Sequence, residues 1–231
     1  MSNIRVIEVH ESIFSNAERE GKVLRTRMTE NGTLFLNFMS APGSGKTMLL
    51  TALINRLKDE MSILEMDVDI KSTLDAQRVA DATGVRSMQI HNGGLCHIDA
   101  DMVNRALEGV DISEVELLIL ENIGNLVCPA EFDTGAHFNL MLLSVPEGDD
   151  KPLKYPLMFT VSDVVLLTKI DTIDYFDFDF EKARKRILDL NPNAVIFPVS
   201  SKTGEGLDEI CNWIKEKEAI LIKDNFDSFR K

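Results

Sequence analysis

Apolar and polar positions follow two rhythms that take turns along the chain. Apolar-rich runs at 34–39, 63–68, 87–90, 117–120, 140–145, 164–168 and 195–199 have the length of buried strands. Over 46–58, 74–82, 100–107, 180–190 and 207–217 the apolar residues return every three or four positions, which predicts amphipathic helices. A strand followed by a helix, repeated in this way, predicts an α/β chain with a mostly parallel, doubly wound sheet flanked by helices, because parallel neighbours need a long crossover and a helix supplies it. Ahead of the first strand, residues 11–28 set Ile13, Phe14, Ala17, Leu24 and Met28 near one stripe interrupted by Gly21, so an N-terminal amphipathic helix is expected there. Asn31-Gly32 ends that pattern. The chain therefore divides into a helical lead-in over 1–32, one α/β domain over 33–218 and a polar tail over 219–231, expected to be frayed or helical only by docking.

Composition narrows the class. The 231 residues are 44% hydrophobic and 27% charged, the balance of a globular protein. Twenty-five basic against 38 acidic side chains leave a net charge of −13, which argues against nucleic acid or an anionic membrane as partner. No apolar run approaches the roughly 18 residues of a membrane span. The start, MSNIRVIEVHES, lacks the basic and apolar regions of a secretory signal, so a cytoplasmic location is expected. Three cysteines, Cys96, Cys128 and Cys211, are an odd count that favours metal binding or burial over a disulfide framework.

The first strand runs into Ser40-Ala41-Pro42-Gly43-Ser44-Gly45-Lys46-Thr47, followed by an apolar helical stretch from Met48. Strand, glycine loop and helix stand in the order of a P-loop. Gly43 and Gly45 let backbone N–H groups turn in around phosphates, with Ser44 and Met48 beside them; Lys46 neutralises the β- and γ-phosphates, and the Thr47 hydroxyl is placed for Mg²⁺. Ser40 stands where the motif usually has its first glycine. A glycine-rich turn beside an unrelated lysine is the plain alternative.

A base reader is expected after the strand 164–168, where Thr168-Lys169-Ile170-Asp171 resembles the guanine-reading N-K-x-D. The Asp171 carboxylate can accept from N1–H and the exocyclic amine of guanine, and adenine leaves it unpaired. Lys169 can cover the base plane, Thr168 keeps a hydroxyl where Asn is usual, and Ser200-Ser201-Lys202 resembles the loop that backs the guanine oxygen. Glu121-Asn122-Ile123-Gly124 follows the strand 117–120 as an E-x-x-G; Glu121 is a candidate for Mg²⁺, directly or through water, and the Gly124 amide for sensing the γ-phosphate. Asp69, after the second strand, and Asp75, at the start of the next helix, are candidates for Mg²⁺ or for positioning the attacking water, with Lys46 completing the catalytic set. An exposed strand end for Asp69 and a helix cap for Asp75 are the plain readings of the same positions.

Cys96-His97 and the distant Cys128 offer thiolate and imidazole donors suited to Zn²⁺ or Ni²⁺. Three ligands leave a position for water, Asp101 or another chain, and two buried thiols with a satisfied histidine remain the alternative. The segments Ser40 to Thr47, Gly93 to Ala100, Glu121 to Ala130 and Glu147-Gly148-Asp149-Asp150-Lys151-Pro152-Leu153-Lys154-Tyr155-Pro156 together resemble the hydrogenase nickel-incorporation GTPases, the HypB family, over about residues 10–217. The resemblance implies a homodimeric P-loop GTPase that binds GTP with Mg²⁺ and helps load nickel into the large subunit of [NiFe]-hydrogenase alongside other maturation factors. It also implies that Cys96, His97 and Cys128 ligate Ni²⁺ or Zn²⁺ between protomers and that GTP tightens the dimer.

Departures accompany the matches. Asp101 stands where some members have histidine, and Val68-Asp69 where the family often has Gly-Asp. Residues 1–33 contain only His10, without the cysteine motif or histidine-rich stretch of many members, so a chaperone rather than a nickel store is expected. The reading carried forward is a slow GTPase metallochaperone. A nucleotide-gated metal-binding module, or a paralogue serving another metalloenzyme with negligible hydrolysis, is the alternative. The related urease accessory GTPases fit less well, because their metal motif places a proline between Cys and His, and Cys96 and His97 are adjacent.

Overall fold

A computed structural model describes residues 5–8, 17–69 and 73–228. Its strands are β1 (Arg5–Glu8), β2 (Leu34–Ser40), β3 (Ile63–Asp69), β4 (Arg86–His91), β5 (Leu117–Gly124), β6 (Phe138–Ser144), β7 (Val164–Thr168) and β8 (Val195–Val199). They form one eight-stranded sheet in the order β1-β4-β3-β5-β2-β6-β7-β8, and every pairing is parallel. The helices are α1 (Ala17–Asn31), α2 (Lys46–Leu57), α3 (Leu74–Thr83), α4 (Ala100–Ala106), α5 (Lys151–Lys154), α6 (Pro156–Thr160), α7 (Phe180–Leu190) and α8 (Leu207–Ser228). The expected α/β architecture is therefore present, with a short edge strand, β1, added beside β4.

Side-chain alternation along β2 divides the core. Leu34, Leu36 and Phe38 point to one face, where they pack with Leu49, Leu50, Leu53 and Ile54 of α2 and with Ile210, Trp213 and Ile214 of α8. Phe35 and Met39 point to the other face and enter two separate clusters. Phe35 joins Leu24 and Met28 of α1 and Met102 and Val103 of α4, whereas Met39 joins Met158 and Phe159 of α6 and Ala183 and Ile187 of α7. Asn37 lies between these clusters.

Three expected boundaries shift. Of the expected N-terminal helix, residues 11–16 lie outside the described residues, and α1 extends on to Asn31. The apolar run 140–145 ends as a strand at Ser144, because Val145 enters a short 3-10 turn that the Glu147 carboxylate closes by accepting from Ser144 N at 2.9 Å and Ser144 Oγ at 2.7 Å. Helix α8 runs through 218 without a break to Ser228, and Asn225 Nδ2 donates to Thr29 O at 2.9 Å, so this stretch is helical and docked on α1.

In a parallel sheet all strands present their carboxyl ends on one side, and the candidate groups lie at those strand ends, in the loops that leave them and in the first turns of the helices that follow. Register fixes their neighbours: Asp67 of β3 lies opposite Glu121 of β5 and Gln89 of β4.

Candidate functional site

Between β2 and α2 the chain turns through Gly43 at φ 76° and Gly45 at φ 99°, left-handed conformations that a side chain would strain. Ser40 substitutes for a glycine without disturbing the turn. It is buried at the end of β2, donates to Ala41 O at 2.8 Å and accepts from Lys46 Nζ at 2.9 Å. Burial pushes the Lys46 pKa down, while Glu121, Asp67, Asp75 and Glu147 pull it back up.

Thr47 Oγ1 donates to Glu121 Oε1 at 2.8 Å. Burial lifts Glu121 to about 7, against the Lys46 charge and the Thr47 hydrogen bond. Beside it Asp67 is lifted to about 8 by burial and by the Glu121 charge, and deeper in β3 burial raises Glu65 well above the carboxylate range. Glu121 Oε2, Asp67 Oδ2 and both Glu65 oxygens are buried without a partner. The Thr47 hydroxyl and the unpaired oxygens of Glu121 and Asp67, which line the cavity beside the phosphate loop, are a donor set that fits a hard, oxygen-seeking cation such as Mg²⁺.

Lys46, Thr47, Asp67 and Glu121, but not Glu65, border a cavity of about 1170 Å³ whose wall also includes Met48, Asp69, Asp75, Arg78, Asn122, Gly124 and Ser201. Asp69 is on its wall, but Asp67 is the carboxylate in register with Glu121, and sequence reasoning passed over it. Asp67 sits inside the run 63–68, Ile-Leu-Glu-Met-Asp-Val, which reads as a strand from its apolar residues alone; the period-two alternation of Glu65, Asp67 and Asp69 is the signal that these carboxylates share a face. Asp75 is not a helix cap, since Thr73 holds that position; Asp75 pairs with Arg78 at 2.9 Å. Gly124 is a glycine because a Cβ there would stand 3.1 Å from Pro42 Cα.

The base-reading residues are tied to the phosphate loop. Lys169, in a left-handed conformation at φ 59°, donates from Nζ to Gly43 O at 2.8 Å, and Thr168 Oγ1 donates to Ser44 O at 3.2 Å. The hydroxyl that replaces the usual amide thus keeps a hold on the loop. Ser200 Oγ donates to Asp171 Oδ1 at 2.6 Å and accepts from the N–H groups of Lys202 and Thr203, both at 3.2 Å. Lys202 Nζ stands 3.8 Å from Asp171 Oδ2.

The loops after β4 and β5 bring Cys96 and Cys128 together, with the two Sγ atoms 2.7 Å apart. Asn92 Nδ2 pins the first loop by donating to Leu95 O and His97 O, both at 2.8 Å, and Asp99 caps α4 by accepting from Met102 N at 2.9 Å. Cys96 is exposed and Cys128 half-buried, and the hydrogen bond from Cys96 to Cys128 raises the Cys96 pKa. The His97 ring is stacked on Phe132 with centroids 3.6 Å apart, leaving its Nδ1 4.0 Å from Cys96 Sγ. Phe132, which orients that ring, carries no motif that sequence reading would catch. Asp101 is paired with Arg105, and Cys211 lies in the core with its thiol pushed up to about 11 by burial. Among the described residues no group of three or more His, Cys, Asp and Glu side chains is arranged to hold a metal ion within one chain. The 147–156 motif does structural work here: Asp149 pairs with Arg186 and accepts from Asp179 N at 3.0 Å.

Comparison with known proteins gives the family and the fold. Residues 35–198 match the nucleotide-binding domain of the CobW/HypB/UreG family. The hydrogenase maturation factor HypB of Escherichia coli K12 is 40% identical over 215 residues, 93% of this chain and 74% of that protein. The hydrogenase/urease maturation factor HypB of Helicobacter hepaticus is 38% identical over 94% of this chain and 90% of its own length. Among solved structures, HypB from Helicobacter pylori in complex with nickel superposes with a TM-score of 0.83 at 38% identity, covering 89% of this chain and 96% of that one. HypB from Archaeoglobus fulgidus gives 0.79 at 36% identity, covering 89% and 98%.

Proposed function

Since the chain belongs to the CobW/HypB/UreG nucleotide-binding family, on its HypB branch, we propose that it is a hydrogenase maturation factor that binds and slowly hydrolyses GTP while holding nickel for delivery. One observation carries the reading. The strand that meets the phosphate loop ends at Gly124, and four residues on the chain reaches Cys128, whose sulfur lies 2.7 Å from that of Cys96. A nucleotide site and a soft-metal site therefore share one stretch of backbone, as a nucleotide-controlled metal carrier requires.

In the nucleotide half, the loop amides and Lys46 stabilise charge that builds on the phosphates during transfer. Mg²⁺, when bound by the Thr47 hydroxyl with Glu121 and Asp67, supplies further charge neutralisation. Asp69 and Asp75 lie on the same wall as positioning groups for water. Asp171, oriented by Ser200, selects guanine. In the metal half, Cys96 and Cys128 give two thiolates per chain with His97 beside them; a homodimer doubles these to six candidate ligands, which supports a site shared between protomers for Ni²⁺, with Zn²⁺ as competitor. Other hydrogenase maturation factors and the hydrogenase large subunit are the partners this role needs, in the cytoplasm. Among the described residues no helix is long and apolar enough to cross a membrane.

The test is phosphate release from GTP beside a Lys46→Ala control, with Ni²⁺ titrations in GDP and in a non-hydrolysable GTP analogue. Release that depends on Lys46, and nickel affinity that changes with nucleotide and falls in Cys96→Ala and Cys128→Ala, supports the proposal. Coupling must be reciprocal, so nickel should alter nucleotide affinity by the same factor. Nickel binding indifferent to nucleotide and to both substitutions would sink it.

A further inference from the structure

Asn37 is out of place by composition. It occupies the middle of the central strand β2, 1% exposed, in the run Leu-Phe-Leu-Asn-Phe-Met, and it separates two apolar clusters that a leucine would join. A buried amide is tolerated only when its hydrogen bonds are made, because an unmet one leaves a desolvated polar group without compensation. Asn37 makes its bonds to both neighbouring strands. Its Oδ1 accepts from Asn122 Nδ2 of β5 at 3.0 Å and its Nδ2 donates to Asn139 Oδ1 of β6 at 2.9 Å; Asn139 Nδ2 then donates to Val161 O at 3.2 Å. Three amides thus form a relay across the centre of the sheet, all donating in the same direction.

The relay ends at an irregularity. Up to Phe38 opposite Glu121 the β2–β5 register is regular, and the next pair is Ser40 opposite Gly124. Two residues of β2 are matched by three of β5, which is a β-bulge, a device that re-aims a strand end beside a site. At the extra residue the Ile123 N–H donates to Asn122 Oδ1 at 2.8 Å, so the Asn122 side chain fills the bulge and Asn37 holds Asn122. On either side of the bulge lie Glu121, which accepts from the Thr47 hydroxyl, and Gly124, which abuts Pro42 of the phosphate loop.

We propose that Asn37 is a positioning residue for the nucleotide site. By anchoring Asn122 it fixes the bulge that aligns Glu121 with Thr47 and brings Gly124 against the phosphate loop, and so sets the Mg²⁺-dependent preference for a triphosphate over a diphosphate. The inference rests on the proposed guanine-nucleotide site. It assigns that site a residue from the far face of the central strand, outside every nucleotide motif.

A purely structural amide would affect stability alone, so the test separates the two bonds Asn37 makes. Asn37→Leu breaks the link to Asn122. Asn139→Leu leaves that link in place and orphans the other end of the Asn37 amide. Binding of fluorescent GDP and of a non-hydrolysable GTP analogue is measured with and without Mg²⁺, alongside urea unfolding. Both variants should lose stability. Only Asn37→Leu should reduce the Mg²⁺-dependent preference for the GTP analogue, by about tenfold, the scale of one hydrogen bond to a positioned group, with Mg²⁺-free GDP affinity within about twofold of wild type. If Asn37→Leu does not fold, Asn37→Ala, which removes the same acceptor without adding bulk and leaves the Asn122–Ile123 bond in place, stands in for it. An unchanged preference, or equal changes in the Asn37 and Asn139 variants, overturns the inference alone. A wild-type chain that binds no guanine nucleotide brings down the proposed function and this inference with it.

Discussion

Asp171 is held by one oxygen and offers the other. Ser200 Oγ occupies Oδ1 at 2.6 Å, while Oδ2 stands 3.8 Å from Lys202 Nζ, beyond hydrogen-bond distance, and can accept from a base. Asp171→Asn turns that acceptor into a possible donor, which suits the 2-oxo group of xanthine; GTP affinity should fall at least about tenfold while XTP affinity rises, read in competition binding. A second residue-scale prediction concerns pH. His137 Nδ1 accepts from Phe35 N at 2.9 Å, so its proton is on Nε2, 2.9 Å from Thr29 Oγ1. Burial and the Arg25 charge push this imidazole down to about 4. A base whose folded pKa lies below its unfolded value of about 6.5 binds fewer protons when folded, so its contribution is intact above that value and is lost as pH falls toward 4. The urea midpoint should drop between pH 6.5 and 4, at a cost of at most about 3 kcal/mol from this group, and His137→Gln should flatten the drop. Sequence motifs picked out Asp171, Lys46 and the two cysteines as candidates because loops display such groups in fixed spacings. Asp67, Glu65 and Asn37 were hidden, because a polar residue inside a strand takes its meaning from neighbours on other strands.

At the scale of elements, α1 carries a glycine where helix propensity argues against one. A Cβ on Gly21 would stand 2.2 Å from Asp133 Oδ2, and Arg25 one turn on binds that carboxylate at 2.8 Å. Asp133 O in turn accepts from Ala100 N at 2.9 Å, so the glycine makes room for the contact that ties α1 to the start of α4. Gly21→Ala should therefore destabilise by about 1–3 kcal/mol in urea unfolding, although the same change in an open helix gains about 1 kcal/mol. Gly21 reads only as an interruption in the sequence, since its partner lies over a hundred residues away. The seven core strands were legible from their apolar runs. The edge strand β1 was not, because four residues, Arg-Val-Ile-Glu, are too few to display a period. The short helices α5 and α6 escaped for the same reason, each being confined to one turn beginning near a proline.

On the scale of the whole molecule, the order β4-β3-β5 places the two cysteine loops on either side of β3. The sulfurs that meet there are 32 residues apart in sequence. Seen as a polymer, the chain is a string with a potential staple, and a staple closing a loop of about this length removes roughly 3–4 kcal/mol worth of unfolded-state freedom. An ion gripping both sulfurs would act in the same way. Saturating Ni²⁺ should raise the melting temperature by several degrees in the wild type and in Cys211→Ala, and not in Cys96→Ala or Cys128→Ala. What the staple encloses is unequal: α4 and β5 fall inside the loop, whereas β2 and the phosphate loop fall outside. Cargo would therefore quieten one side of the nucleotide pocket and leave the other free to breathe, and amide hydrogen exchange should slow first between residues 97 and 127.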